Sequence, residues 1–267
     1  MPIDISTSQP VALFFFAHQD DEYGVYQSLA DELSWGRRVI CLYFTDGGFS
    51  GVSVLKRNQE SVAVLTQIGV PRDDILFIGQ RLSIPDGKLI DHMAPVGQWL
   101  NDWLAEFPAI ESVYVPAWEG GHHDHDTLHA LAVLTAQKLG MIAKVRQFSL
   151  YNAYKRIHPF FRVKAPLREN GPVTSSRIDW GARLRYLRFC ASYPSQLTTW
   201  MGLFPFVLWH YLFNGSQALQ AVDTTRLGSR PHAGALYYER RRFCTWEKMQ
   251  KNIQNYRRLS EQPTDAV

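Results

Sequence analysis

The chain has 267 residues, of which 46% are hydrophobic and 20% are charged. This is the composition of an ordinary globular protein, and it argues against a disordered or a fibrous chain. The net charge of +3 is too small, and the basic residues are too scattered, to indicate a protein that binds nucleic acid.

The cysteines and the first residues bear on the cellular compartment. Cys41, Cys190 and Cys244 are odd in number and far apart, which argues against a disulfide framework and favours a reducing environment. Residues 1–10 have no basic region or cleavage pattern, and the apolar run that follows is too short for the core of a signal peptide. We therefore expect a cytoplasmic protein.

Predicted strands and helices alternate along the first half of the chain. The apolar run at 11–16 is typical of a strand buried on both faces. Further strands are predicted at 38–45, 75–78, 112–115 and 145–150, and helices at 21–35, 54–68, 96–107 and 126–139. Because such alternation requires right-handed crossovers, we expect residues 1–150 to form a Rossmann-like three-layer α/β sandwich with a mainly parallel sheet.

The second half, residues 151–267, is predicted to be an irregular and helical extension that packs on the core and shapes the substrate pocket. Residues 151–176 are expected to be extended, and a helix is expected at 180–191. The buried face of that helix is predicted to carry Trp180, Leu184, Leu187 and Ala191. Its arginines, such as Arg183, are interpreted as a solvated face, with contact to an anionic substrate or lipid surface as the alternative.

The segment 196–213 is strongly apolar and aromatic. A membrane span needs roughly twenty apolar residues, and this segment is interrupted by Pro205 and His210. Two interpretations stay open. One is a buried or subunit-contact segment, which would allow an oligomer. The other is a peripheral contact with a membrane surface through residues 197–213.

Two polar clusters follow the first and fourth predicted strands. The first is His18-Gln19-Asp20-Asp21-Glu22, and the second is His122-His123-Asp124-His125-Asp126. In an open α/β sheet such loops meet at the carboxyl edge of the strands, where ligands bind. Two imidazoles and a carboxylate are the ligand set of catalytic zinc, which keeps a fourth position for water. Fe²⁺, Mn²⁺ or Co²⁺ could use the same ligands.

Other residues of the two clusters suit the chemistry of such a metal. Asp20, beside the ligand Asp21, is placed to take a proton from the metal's water. His122 could protonate a leaving group or stabilise an oxyanion, and Asp124 could orient an imidazole. The alternative for each cluster is structural, because acidic residues often cap helix starts.

These motifs resemble the PIG-L/LmbE family of metal-dependent N-deacetylases. The resemblance is carried by Ala17-His18-Gln19-Asp20-Asp21-Glu22 and Gly121-His122-His123-Asp124-His125, with Thr45-Asp46-Gly47, Arg57-Asn58-Gln59-Glu60 and Asp86-Gly87 between them and the weaker Tyr193-Pro194-Ser195-Gln196 after them. It implies zinc on His18, Asp21 and His125, Asp20 as general base, and His122 as the group that stabilises or protonates the tetrahedral intermediate. Gln19 departs from the family's usual proline, which puts the stiffness of this turn in doubt.

The resemblance also implies the reaction, which is removal of the acetyl group from an N-acetylated amino sugar. Candidates for holding sugar hydroxyls or a phosphate are Asp46, Arg57, Glu60 and Asp86. Arg57 and Glu60 could instead pair within one helix.

Our leading hypothesis is a zinc-dependent N-acetylhexosamine deacetylase that acts on a surface-glycan or lipid-linked precursor at the inner face of the membrane. A second enzyme hypothesis is an amidohydrolase of a small thiol conjugate or an antibiotic precursor. A hypothesis of another class is a non-catalytic sugar-binding module. A dinucleotide enzyme is disfavoured because no Gly-x-Gly-x-x-Gly follows the first strand.

Overall fold

A computed structural model describes residues 9–49, 51–157 and 160–261. Residues 1–8, which entered the prediction about a leader, lie outside the described residues. The strands are β1 Val11–Phe16, β2 Arg38–Tyr43, β3 Ile75–Phe77, β4 Ile110–Pro116, β5 Val145–Phe148, β6 Tyr151–Asn152, β7 Arg162–Val163, β8 Val173–Arg177 and β9 Ser216–Ala221.

Seven of these strands form one sheet in the order β3-β2-β1-β4-β5-β9-β8. The first five strands of that order are parallel, whereas β9 runs antiparallel to β5 and β8 antiparallel to β9. β6 and β7 form a separate short pair. The predicted α/β fold with a mainly parallel sheet is confirmed.

The helices cover both faces of this sheet. They are α1 Tyr26–Ser34, α2 Val54–Ile68, α3 Ile78–Arg81, α4 Met93–Ala105, α5 His123–Lys138, α6 Trp180–Cys190, α7 Leu197–Trp209, α8 Tyr237–Arg240 and α9 Trp246–Glu261. A 3-10 turn at Asp21–Gly24 precedes α1, and a π-helical turn at His210–Asn214 follows α7.

The side chains of β1 show how the three layers form. Every residue of β1 is buried, and successive side chains of a strand point to opposite faces. Leu13 and Phe15 join an apolar cluster with α4, α5 and α9. Phe14 and Phe16 join a second cluster with α1, α2, α6 and α7. The continuous apolar run of β1 therefore belongs to a strand covered on both faces.

Local capping explains where α2 and α5 begin. The Ser53 side chain accepts a hydrogen bond from the backbone N–H of Lys56, so α2 starts at Val54, as predicted. α5 begins at His123, three residues before the predicted start at Asp126, because His122 caps its first turn. The loop therefore ends at His122 rather than at the predicted Asp124, and His125 lies in the first turn of a helix.

The predicted buried face of α6 is wrong. Trp180 and Leu184 are exposed, and α6 instead buries Ala182, Tyr186 and Phe189 against the α1 side of the core. The Arg183 guanidinium, predicted to be solvated, is buried and donates to the backbone oxygens of Ile178, Tyr211 and Gly215.

The chain beyond residue 150 takes part in the main sheet through β8 and β9. The antiparallel strand β9 pairs with β5, and α9 packs on α4 and α5. The division of the chain at residue 150 stays a prediction. Among the helices of the described residues, none is at once long enough and apolar enough to cross a bilayer.

Candidate metal centre

The two polar clusters lie side by side at the carboxyl edge of the sheet. β1 pairs with β2 on one side and with β4 on the other, so the chain order reverses at β1. His18 follows β1 directly, and the loop after β4 leads into α5, whose first turn holds His125. This is the topological switch point, where open α/β sheets bind ligands.

His18, Asp21 and His125 converge on one point. The His18 Nδ1 and His125 Nε2 atoms are 3.2 Å apart, and His125 Nε2 lies 3.0 Å from Asp21 Oδ1. The other carboxylate oxygen of Asp21 is 3.7 Å from His18 Nδ1. All three residues are buried, and together they form a group that could hold a metal ion.

Asp124 holds the far side of the His18 ring. His18 Nε2 lies 3.1 Å from Asp124 Oδ2, and the Asp124 carboxylate also accepts from the backbone N–H groups of Gly87 and Leu89. Although burial opposes it, the hydrogen bond from His18 keeps the pKa of Asp124 below its usual value. With hydrogen on Nε2 directed at this carboxylate, the Nδ1 lone pair of His18 faces His125 and Asp21, as a metal ligand requires.

A second group of potential ligands shares His18. It consists of His18, Asp86, His122 and Asp124. Asp86 Oδ1 lies 3.2 Å from His18 Nε2, so this group gathers on the opposite nitrogen of the ring. The structure thus offers two places for an ion, one on each side of His18.

Asp20 lies beside the triad in an unusual backbone conformation. Its φ of 101° is in the left-handed region, which is strained for a residue with a side chain. Its backbone N–H donates to Glu22 Oε2 at 2.7 Å, and the Arg57 guanidinium lies 3.8 Å from Asp20 Oδ1. Burial raises the pKa of Asp20 well above its usual value, against the effect of Arg57, and the neighbouring carboxylates of Asp21 and Glu22 add to the rise.

His122 presents a neutral imidazole next to His18. Burial, together with the proximity of His18, lowers the pKa of His122 well below its usual value. The backbone N–H of Asp124 donates to His122 Nδ1 at 3.2 Å, so the ring hydrogen of this neutral imidazole is on Nε2. The His122 side chain can therefore donate a hydrogen bond from Nε2 to a group bound at the site.

Comparisons with known proteins show what the region around this site resembles. Residues 13–136 match the family model of PIG-L, described as GlcNAc-PI de-N-acetylase. The matched region is somewhat less than half of the chain. It contains both polar clusters, so the resemblance seen in the motifs is confirmed. No curated protein sequence matches the chain.

Solved structures share the fold at low sequence identity. A deacetylase of the teicoplanin biosynthesis pathway has a TM-score of 0.59 at 17% identity, over 80% of this chain and 99% of its own. The A40926 pseudoaglycone deacetylase has 0.58 at 19% identity, over 85% and 100%. The N,N'-diacetylchitobiose deacetylase of Pyrococcus horikoshii has 0.56 at 14% identity, over 85% and 88%. These likenesses show a common fold.

The four residues proposed for substrate contact have different surroundings in the structure. Arg57 donates to the backbone oxygens of Gln19 and Gly47 and lies 3.3 Å from Asp86 Oδ2. Both carboxylate oxygens of Glu60 accept from Ser195, which gives Glu60 a structural contact to the start of α7. Asp46 accepts from the backbone N–H of Gly48 at 2.7 Å. Asp86 is thus the one of the four that reaches the triad directly.

An amide network supports the turn at Gln19, where the PIG-L family usually has proline. Gln19 Nε2 donates to Asn58 Oδ1 at 2.6 Å, and Asn58 Nδ2 donates to Gln80 Oε1 at 2.7 Å. Arg57 Nη2 donates to the Gln19 carbonyl at 2.7 Å. Side chains of α2 and α3 therefore hold the turn that a proline ring would stiffen.

Sequence reasoning missed three residues around the site. Glu22 accepts from the Tyr43 hydroxyl as well as from the Asp20 N–H, so it anchors the Asp20 turn. Glu119 is buried and accepts from Ser149, Asn152 and two backbone N–H groups of the chain that carries Tyr151. The Tyr151 ring packs edge-on against His125 at 5.6 Å. The only signal in the sequence was that Glu22 belongs to the first motif and that Glu119 lies two residues before the second.

Proposed function

We propose that the chain is a metal-dependent hydrolase that removes the acetyl group from an N-acetylated amino sugar. The single observation that carries the proposal is the convergence of His18, Asp21 and His125 beside Asp20 and His122. All five side chains come from the two motifs that the PIG-L match contains, with His18, Asp20 and Asp21 in the first motif and His122 and His125 in the second. A binding module would have no use for the buried Asp20 carboxylate and the neutral His122 imidazole.

We assign the ion to the triad of His18, Asp21 and His125. The donor set fits a divalent metal, because two imidazole nitrogens and a carboxylate gather within 4.8 Å of one another and are buried. The alternative group is less suited, since Asp124 is saturated by backbone N–H groups and Asp86 pairs with Arg57. Zn²⁺ is the first choice, with Fe²⁺, Mn²⁺ or Co²⁺ as alternatives. When bound, the ion would polarise the amide carbonyl and lower the pKa of water.

The residues of the chain would carry the proton transfers. Asp20 takes a proton from the attacking water as its oxygen bonds to the acetyl carbon. The Nε2–H of His122 donates to the carbonyl oxygen as negative charge develops there. The carbon–nitrogen bond then breaks as the sugar nitrogen takes up the proton from Asp20, and the amine leaves together with acetic acid, which loses its remaining proton to the solvent. The raised pKa of Asp20 suits a group that must both accept and return a proton.

The substrate class is proposed from chemistry and likeness together. The matched family model is described as a de-N-acetylase of GlcNAc-PI, and one structural neighbour is a diacetylchitobiose deacetylase. In this chain Asp86 and Arg57 lie at the site and could bind sugar hydroxyls or a phosphate. We propose an N-acetylhexosamine in a surface-glycan or lipid-linked precursor, used in the cytoplasm at the inner face of the membrane.

A second candidate keeps the reaction and changes the substrate. Two structural neighbours are deacetylases named for the antibiotics teicoplanin and A40926. An antibiotic precursor is therefore an alternative substrate for the same site, as is a small thiol conjugate. A module that binds a sugar and catalyses no reaction is the alternative of another class.

An acetate-release assay tests these proposals. The protein is stripped of metal, reloaded with Zn²⁺, Fe²⁺, Mn²⁺ or Co²⁺, and offered free, nucleotide-linked and lipid-linked N-acetylhexosamines beside acetylated antibiotic precursors. We expect release that depends on the metal and is fastest with one hexosamine. Stoichiometric sugar binding without acetate release under every metal would contradict the hydrolase and favour the binding module.

A further inference from the structure

A large open cleft lies outside the metal centre. Its volume is about 1270 Å³, and it is bounded by residues 155–157 and 160–166, by the end of α7 with the π-helical turn, and by β8 and β9. None of its residues entered the chemistry proposed above.

The walls of this cleft combine exposed aromatic rings with basic side chains. Phe160, Trp209 and Phe213 are 58%, 66% and 67% exposed. The basic residues of the outer wall are Lys155, Arg156 and Arg162, and no carboxylate occurs among the described residues that line the cleft. Nor does any ion pair join those three basic residues to a carboxylate in the described parts of the chain. The charge of the cleft therefore complements an anionic partner.

Helix α7, which forms one wall, is apolar on both faces although only one face is covered. The inner face buries Trp200, Leu203 and Val207 in the core, whereas Met201 and Trp209 on the outer face are exposed. The helix carries no charged residue. A helix that is apolar all round normally has an apolar environment all round, so its outer face lacks an expected covering.

The cleft shares a wall with the metal centre. The Phe161 ring packs against Phe206 at 4.9 Å and against Tyr151 at 6.0 Å, and Tyr151 in turn packs against His125. A surface that covers the cleft would therefore lie close to Tyr151, which contacts His125 of the metal centre. Proximity of this kind matters for a substrate that is held in a lipid layer.

We propose that this cleft, with the outer face of α7, docks on the surface of an anionic phospholipid bilayer. Tryptophan and phenylalanine side chains partition into the boundary between headgroups and acyl chains, and basic side chains bind anionic headgroups. A protein partner fits less well, because the described lining offers exposed aromatic rings and cations without a carboxylate. The proposal stands apart from the proposed function, since docking requires no substrate.

Co-sedimentation with vesicles tests the docking. The intact protein is mixed with vesicles of phosphatidylcholine alone, or of phosphatidylcholine and phosphatidylglycerol in equal parts, without substrate. We expect preferential binding to the anionic vesicles, weakened by added salt. Failure to bind either vesicle, or equal binding to both, would overturn the proposal and leave the deacetylase assay unaffected.

Paired variants locate the contact. We expect Trp209→Ser with Phe213→Ser to weaken binding about tenfold or more. Lys155→Glu with Arg156→Glu should weaken it by at least about fivefold per cation lost. Trp35→Ser is the matched aromatic control, because Trp35 is 62% exposed beside Arg37. Lys251→Glu with Arg258→Glu on α9 is the charge control.

The control variants also show which results would contradict the proposal. Loss of binding that is equal in the test and control variants would show a non-specific effect and overturn the proposed surface. A wild-type dimer that dissociates on Trp209→Ser with Phe213→Ser would do the same, because a second copy would then cover the cleft. Circular dichroism of each variant verifies the fold, and the four test residues are all exposed.

Discussion

The two halves of the chain bury their apolar side chains differently. In residues 11–148 the apolar strands are covered by helices on both faces, and the motif residues lie at their carboxyl ends. In residues 151–261 several large apolar side chains point outward, such as Leu184, Met201 and Trp209. Where both faces are covered, an apolar pattern predicts burial well. Where only one face of a helix is covered, the apolar pattern alone does not show which face is buried.

The largest expected effect belongs to the first half. Asp20→Asn removes the proposed proton acceptor and keeps the size of the side chain. We expect turnover to fall about 100- to 10,000-fold while bound metal and the melting temperature stay near wild type. Steady-state acetate release and metal analysis measure this. Asp73→Asn, an exposed carboxylate on the same half, is the control and should leave turnover unchanged. Full activity of Asp20→Asn would remove Asp20 from the mechanism.

The two faces of α7 should differ strongly in stability. Leu203 is buried, so Leu203→Ala should lower the free energy of unfolding by about 2–5 kcal/mol. Met201 is 64% exposed, and Met201→Ala should change that free energy by no more than about 0.5 kcal/mol. Urea denaturation of the two variants makes the comparison. Similar losses in both would show that the outer face is covered.

Two glycines, Gly79 and Gly202, allow the packed first half to be compared with the open face of α7. A Cβ on Gly79 would lie 2.2 Å from the backbone carbonyl carbon of Thr45, in the packed first half. We expect Gly79→Ala to lower the free energy of unfolding by about 1–3 kcal/mol.

Gly202 in α7 has no atom within 4 Å of such a Cβ. Because glycine is disfavoured inside helices, Gly202→Ala should raise the free energy of unfolding by about 0.5–1 kcal/mol. Thermal and urea unfolding measure both variants. A stable Gly79→Ala protein would contradict the close approach of α3 to the loop after β2.

Lys164 lies in the second half of the chain and contacts the first half. Its titration should make the stability of the protein depend on pH. Its ammonium group is buried and donates to the backbone oxygens of Tyr23 and Gly24. Burial lowers the pKa of Lys164 to about 7, against the smaller opposing effect of Cys190. An unfolded lysine has a pKa of about 10.4. Between these values the unfolded chain holds a proton that the folded chain has released, so stability rises with pH.

Comparison with Lys164→Met isolates this effect. From pH 7 toward pH 10 the wild type should gain stability relative to the variant, by up to about 1.4 kcal/mol per pH unit. Other buried groups that titrate are common to both proteins, so their contributions cancel in the difference. A difference in unfolding free energy that does not change with pH would contradict the lowered pKa of Lys164.

The proximity of site residues could be predicted from the sequence where side-chain chemistry and strand position coincide. His18, Asp21 and His125 could be brought together because two polar clusters follow strands that are neighbours in a parallel sheet. Asp86 belongs to a loop that no periodicity positions, so its place beside His18 came only from the structure. The role of Glu60 depends on Ser195, which is distant in sequence.

The errors in the second half have physical causes. β9 was not predicted because its Ser, Gln and Ala residues have little preference for strands, and Gln217 and Gln220 are instead buried by donating to backbone oxygens. The buried face of α6 was misassigned because Trp180 packs over the Arg183 guanidinium at 4.4 Å rather than entering the core. In both cases long-range partners decided the outcome.

The position of the metal relative to His18 tests the proposed chemistry most directly. Crystals of the protein loaded with zinc, measured at the zinc absorption edge, would locate the ion by anomalous scattering. We predict a single strong peak about 2.0–2.2 Å from His18 Nδ1, Asp21 and His125 Nε2. A peak on the opposite side of the ring, among Asp86, His122 and Asp124, or no peak at all, would contradict the assignment of these three residues as metal ligands.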